Sequence, residues 1–299
     1  MSDHGLLRAL RGSLDDAGLT GSFCVRDLDT GAEIGIDADV EYPVASLAKV
    51  PLALAVRTAV HAGRLDGGTP LDVAPGRAAG PGPTGLSRFR HPVRIAVDDL
   101  LYLSLAISDN TATDALFDLV PPAEVNACLA AAGVDGITVR HRMSELAATP
   151  AERFLPAEPH LAHALAIGAR TAGHGHPIAE LDVARTNTGS ARAYADLLTA
   201  LWRPARIAEP VAAAVRELLG QNLIRHRLAP DFASDASAWS SKTGSLLNLR
   251  HEAGVVEHDD GSAFAVVALT ESRVPAAVQP AAEALMARIA RTLHDHLRG

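Results

Sequence analysis

The chain has 299 residues, 48% hydrophobic and 21% charged, which is enough for one large domain or two interleaved subdomains around a sizeable core. With a formal net charge of −8, no clustered basic surface and no apolar run of membrane-spanning length, neither nucleic acid nor a membrane is an expected partner. The amino terminus has no apolar stretch of signal-peptide length and carries Asp3, Asp15 and Asp16, so the chain as written is expected in the cytoplasm, and outside it only if a leader precedes it.

Residues 5–17 read as an amphipathic helix, and 22–28 and 33–37 as strands joined by the turn Asp29-Thr30-Gly31. From 46 to 63 the run SLAKVPLALAVRTAVHAG is apolar nearly all round, as in a buried helix; Pro51 is expected to make its first two turns irregular. Residues 67–92 hold many glycines and prolines and read as a loop. Helices are expected over 97–107, 111–119 and 122–132, then an irregular stretch over 141–187, then helices over 190–202 and 209–220. The end of the chain is β-rich over 238–243, 252–258 and 263–270, with Asp259-Asp260-Gly261 as a hairpin turn, and closes in a long amphipathic helix over 274–297.

Strands at both ends with helices between them imply an α/β fold. One antiparallel sheet is built from the two termini (1–44 with 234–299) and flanked by terminal helices, and an all-helical part fills 45–233. Cys24 and Cys128 share no metal-like spacing and no disulfide framework, and read as small buried apolar residues. His174-Gly175-His176, with no acidic or cysteine partner nearby, reads as a solvated loop, so no metal and no other cofactor is expected.

The lysines are the most informative residues. There are two, Lys49 and Lys242, in a chain whose lysines and arginines together number 27. An arginine stays protonated, whereas a desolvated lysine can lose its proton and act as a base, so a chain that otherwise uses arginine reserves lysine for something a guanidinium cannot do. Each lies in a short chemical run. In Ser46-Leu47-Ala48-Lys49, serine and lysine share one helical face. A hydroxyl at a helix amino terminus, beside free backbone N–H groups and a neutral amine, has what a nucleophile needs. Ser108-Asp109-Asn110 sits between two helical runs; it suits an N-cap, and also a hydroxyl relay with an amide beside it. Lys242-Thr243-Gly244-Ser245 ends a strand. There Gly244 admits close approach to the backbone, and the Ser245 N–H can serve as a second oxyanion donor.

These three motifs in this order resemble the class A serine β-lactamases, most closely in SLAKVPLALAV, ISDNTATDALFDL, NTGSARAYADLL and KTGSLLNLRHEAGVV. The resemblance covers most of the chain and implies that fold, with Ser46 as the acylated nucleophile and Lys49 as its proton acceptor. It implies Ser108 as proton relay to the leaving amine, Asn110 as a substrate-amide contact, and Lys242 as the electrostatic partner of Ser108 and of a substrate carboxylate. Thr243, Gly244 and Ser245 would line the substrate site, and Arg250, on a turn one residue shorter, would stand where the family has a carboxylate-binding arginine.

One part of the pattern is missing. The family's deacylating glutamate belongs to a Glu-x-x-x-Asn run after Thr138-Val139-Arg140-His141-Arg142, and Ser144 stands in its place, with Glu145 beside it and Glu152, Glu158 and Glu180 in a longer loop. Glu145 is the first candidate to replace it. The resemblance implies a serine hydrolase of β-lactamase type acting on a small-molecule β-lactam. The departures keep two alternatives open: an esterase or amidase of the same fold with another ester or amide substrate, and a non-turnover β-lactam sensor. The oligomeric state is not legible.

Overall fold

In β1 (Leu19–Asp27), Phe23 and Val25 belong to one core and Cys24 to another, and all three are fully buried. Successive strand residues point to opposite faces, so the sheet must be covered on both sides. The computed structural model describes residues 2–74, 84–146, 159–168, 175–274 and 278–299. In it β1 neighbours β10 (Ala263–Ser272), whose Phe264, Val266 and Ala268 join the first core and Ala265, Val267 and Leu269 the second. With β2 (Glu33–Ile36), β8 (Ser237–Leu246) and β9 (Leu249–His258) they form an antiparallel sheet in the order β2-β1-β10-β9-β8.

The two chain ends cover one face, joined by Ala229 and Phe232 of the short helix α10 (Ala229–Phe232). Leu6 and Leu14 of α1 (Asp3–Asp16), and Met286, Ile289 and Leu293 of α11 (Pro280–Arg298), complete the first core. Helix α11 starts later than its apolar pattern suggested, with Pro280 in its first turn, where a missing N–H leaves no bond unmade. Against the other face packs α8 (Ala191–Trp202), capped by Ser190, whose hydroxyl accepts from Ala193 N at 3.1 Å.

The centre of the second core is α2 (Lys49–His61), buried nearly all round as its composition required. Its irregularity lies a turn earlier than expected. A 3₁₀ turn, Ala45–Ala48, leads into it, whereas Pro51 falls among the first helical residues, whose N–H groups have no intrahelical partner. Around α2 stand α3 (Val97–Ala106), α4 (Asn110–Leu119), α5 (Pro122–Ala132) and α9 (Glu209–Gly220). This helical part also carries two small ladders that the sequence pattern did not show. One joins β3 (Glu41–Pro43), β7 (Thr188–Ser190) and β6 (Ile137–Thr138); the other joins β4 (Pro70–Val73) to β5 (Val93–Ala96). Strands of two to four residues are too short to show alternation. The irregular stretch after β6 contains α6 (Met143–Leu146) and α7 (Pro159–Gly168).

Among the described residues no single helix is long and apolar enough to cross a membrane, and no group of three histidine, cysteine or acidic side chains is placed to hold a metal ion. Both cysteines are free; Cys24 is buried and Cys128 half-buried. The expected solvated histidine loop is corrected in part. His176 is buried and its Nδ1 accepts from Ile178 N at 2.9 Å, while His174 lies outside the described residues.

Candidate active site

Two left-handed residues shape the site. Ala45 (φ 49°) introduces the turn that carries Ser46, and Ser108 (φ 58°) makes the tight junction between α3 and α4. Non-glycine residues adopt this conformation only where their surroundings impose it. At Ser108 the imposing group is Asp109, which caps α4. Its Oδ1 accepts from Thr111 N at 2.9 Å and Ser87 Oγ at 3.1 Å, and its Oδ2 from Leu86 N at 2.5 Å. The N-cap reading of this motif therefore holds for Asp109, and that cap in turn aims Ser108 and Asn110 at Lys49.

Lys49 is fully buried, and its Nζ meets three oxygens: Ser108 O at 2.7 Å, Asn110 Oδ1 at 2.7 Å and Ser108 Oγ at 3.0 Å. None of the three belongs to Ser46, although serine and lysine were expected to meet across one helical turn. Burial pushes the Lys49 amine down to about 7, although the carboxylates of Asp109 and Asp114 pull the other way. Desolvation wins, and neutral and charged forms are comparably populated near neutral pH. The carbonyl and amide oxygens can only accept. A neutral Lys49 therefore gives its two N–H groups to them and turns its lone pair to Ser108 Oγ, which must then donate.

Lys242 is also fully buried, on β8, and donates to Thr243 O at 2.9 Å. Its amine is held well below the usual lysine range, first by burial and then by Lys49 and Arg227. Beside it, Gly244 is dictated by space. A Cβ there would lie 2.7 Å from Val44 O and 3.3 Å from Leu47 Cγ, both flanking the nucleophile's turn. A backbone carbonyl cannot step aside as a side-chain tip can. Gly244→Ala is expected to lower stability by about 1–3 kcal/mol and to slow any reaction of Ser46; unchanged melting and reactivity would contradict this close approach.

His251, on β9, ties the same turn to the sheet. Its Nδ1 accepts from Thr270 N at 3.1 Å, so Nε2 carries the hydrogen and donates to Pro43 O at 2.9 Å. Burial lowers this imidazole to about 3, so it stays neutral and keeps that tautomer.

Ser46, Ser108, Asn110, Thr243 and Ser245 line one cleft of about 310 Å³, together with Thr84, Ile224, His226 and Arg227. Arg227 was missed by sequence reasoning. It is 3% exposed, and Nη2 donates to Ser245 Oγ at 2.6 Å while Nη1 donates to Gly244 O at 2.9 Å and His251 O at 2.7 Å. Its neighbour Leu228 is fixed by a backbone N–H donated at 2.9 Å to the buried Glu252, which also accepts from Ser241 Oγ and Trp239 Nε1. No local pattern in Arg225-His226-Arg227 signals this, because it arises from packing against β8 and β9. Arg250, the residue expected near a substrate carboxylate, lines a different cavity with Asn248, Thr270 and Glu283, and its Nη1 donates to Leu247 O and Leu249 O.

The loop carboxylates are also placed. Glu145 lies on the exposed side of α6 and accepts from Arg142 N at 3.2 Å, so it does not face Lys49. Glu180 is in the 3₁₀ turn Ala179–Leu181; Glu152 and Glu158 lie outside the described residues.

A sheet made by both chain ends, a buried Ser-x-x-Lys helix and a Lys-Thr-Gly strand edge are the marks of the β-lactamase fold. Solved structures with this arrangement span the chain. A β-lactamase from Sphaerobacter thermophilus aligns over 100% of this chain and 98% of its own at 22% identity, with a TM-score of 0.78. An acyl-enzyme complex of a PBP-A variant with penicillin G aligns over 99% and 97% at 18% identity, with a TM-score of 0.75. Residues 6–297 match the beta-lactamase enzyme family, and the chain belongs to that family. It is also 60% identical, over 100% of its length and 99% of the relative's, to the β-lactamase regulatory protein BlaB of Streptomyces cacaoi.

Proposed function

We propose that this protein is a β-lactam receptor, acylated at Ser46 by the chemistry of a serine β-lactamase and regulatory in role because the acyl-ester persists. One contrast carries the reading: Lys49 bonds to Ser108 and Asn110, which line one cleft with Ser46, whereas Glu145 is turned to solvent and Ser144 stands where a deacylating glutamate is expected. The regulatory relative supports the same conclusion.

Acylation needs no group beyond these. Ser46 Oγ attacks the β-lactam carbonyl and passes its proton through Ser108 to neutral Lys49. The ring C–N bond breaks, and the proton returns through Ser108 to the ring nitrogen. The N–H groups of Ser46 and Ser245 receive the carbonyl oxygen as it becomes negative. Arg227, whose Nη2 reaches Ser245 Oγ at 2.6 Å, gives the cleft positive charge, which suits a substrate carboxylate. Asn110, whose Oδ1 is occupied by Lys49, is left with its amide N–H₂ to offer a substrate carbonyl.

The family itself favours a second reading, efficient hydrolysis. Intact mass after exposure to a penicillin, followed over time and mapped by peptide mass, decides between them. The expected result is one adduct on Ser46 lasting far longer than a turnover time of about 0.1 s, which is ordinary for an enzyme. No adduct together with rapid substrate loss would establish hydrolysis; no adduct with intact substrate would overturn both readings.

A further inference from the structure

Asp114 lies one turn beyond Asn110 on α4, and residues at this spacing share a face. The Asn110 side chain on that face is bonded to Lys49, and α4 packs against α2. The Asp114 carboxylate is held at both oxygens: Oδ1 accepts from Met143 N at 2.7 Å and Oδ2 from Ser144 N at 2.9 Å. These backbone donors orient the carboxylate without cancelling its charge. The residue delivering one of them, Ser144, is the one that replaces the expected glutamate. The carboxylate beside Ser144 therefore comes from α4.

We propose that Asp114 is a positioning residue of the active site: fixed by the backbone of 143–144 behind Asn110, it joins Asp109 in stabilising the protonated form of Lys49 and so helps to set the pH range in which Ser46 is acylated.

Among the charges nearby, Asp114 shares this role with Asp109. Asp118, one turn further along α4, is ion-paired to Arg142; both line a cavity with Asp72 of β4, and Asp114 and Ser144 border the same cavity. Glu145 of α6 faces solvent. On the elements packed behind, Asp98 of α3 is paired to Arg57 of α2. Asp109, which caps α4, also favours the Lys49 ammonium and does so more strongly than Asp114, while Lys242 of β8 is near enough to feel the Lys49 charge. Burial raises the Asp114 carboxyl, while the Ser144 side chain, the backbone donors and Lys49 lower it.

The kinetic test rests on the acylation proposed above, and a spectroscopic test does not. Removing a negative neighbour disfavours the ammonium form, so in Asp114→Asn the Lys49 amine should deprotonate about one unit lower. The rising limb of the acylation rate against pH should move down with it, making the variant several-fold faster than the parent near pH 6. A merely structural role for Asp114 would only slow the reaction or destabilise the fold. Because the chain holds two lysines, ¹³Cε-lysine labelling gives two side-chain signals. In the parent protein the Lys49 signal should show a second inflection in the carboxylate range, and this should move to higher pH in Ser144→Ala, which loses a donor to Asp114. This measurement remains decisive if Asp114→Asn does not fold or if no β-lactam adduct forms. A Lys49 titration with no acid inflection, or one indifferent to Ser144→Ala, would overturn the proposal, as would a limb that stays in place in a folded Asp114→Asn.

Discussion

Lys49→Arg should lose acylation of Ser46 by about 10²–10⁴-fold, the range a general base contributes, and Ser46→Ala should form no adduct at all. Elsewhere in this chain arginine is the ordinary cation, so composition gives no reason for the substitution to fail. Chemistry and space both do. The Lys49 amine is held near 7 by burial and can present a lone pair to Ser108 Oγ at 3.0 Å, whereas a guanidinium keeps its protons under any ordinary condition. Three oxygens within 3.0 Å also enclose a compact amine, and a planar fork would displace at least one of them. The acylation rate of the parent should rise as the pH passes upward through about 7, because the neutral amine is the active form. Lys49→Arg should lose that limb. Stopped-flow acylation across this range, with intact mass as the endpoint, checks both. An arginine variant that acylates at near-parental speed would place the base elsewhere.

The buried cations show how much of this was legible. Lys49 and Lys242 stood out because a lysine in an apolar helix or a strand needs a reason to be there, and both are fully buried at one site. The strands and the long helices announced themselves by their periods of two and 3.6. Ser46, Ser108, Asn110, Thr243 and Ser245 were recovered as one cleft because each lay in a local run. Arg227 and Asp114 lay in none. Arg227 reaches the cleft because 224–228 fold back onto β8. Asp114 matters because the start of α6 lands on it, and both are facts of tertiary packing that sequence spacing does not encode. The same limit applied to Arg250, whose side chain lines another cavity.

The remaining prediction is a gain of function. If the acyl-ester persists because Glu145 faces solvent and residue 144 carries no carboxylate, Ser144→Glu should restore a base able to activate water. The structure indicates that this change alone will fall short. Ser144 bonds to Asp114, so a glutamate there would place a second carboxylate against the first. Two such groups resist ionising together, and the pair would hold a proton at neutral pH. Asp114→Asn removes the repulsion and supplies an amide that can donate to the new carboxylate. The double variant should therefore deacylate about 10²–10⁴-fold faster than the parent, the scale of a recovered general base, and Ser144→Glu alone should give a small part of that gain. Asp114→Asn alone should leave the adduct long-lived, because it adds no base. The three variants and the parent form a thermodynamic cycle whose coupling is read directly from adduct lifetimes by time-resolved mass, with chromogenic cephalosporin hydrolysis as the steady-state counterpart. Equal lifetimes in the double variant and the parent would mean that the backbone at 144 does not aim a side chain at the ester, and that the loss of turnover runs deeper than one residue. A single Ser144→Glu as fast as the double would mean that Asp114 does not carry the charge assigned to it.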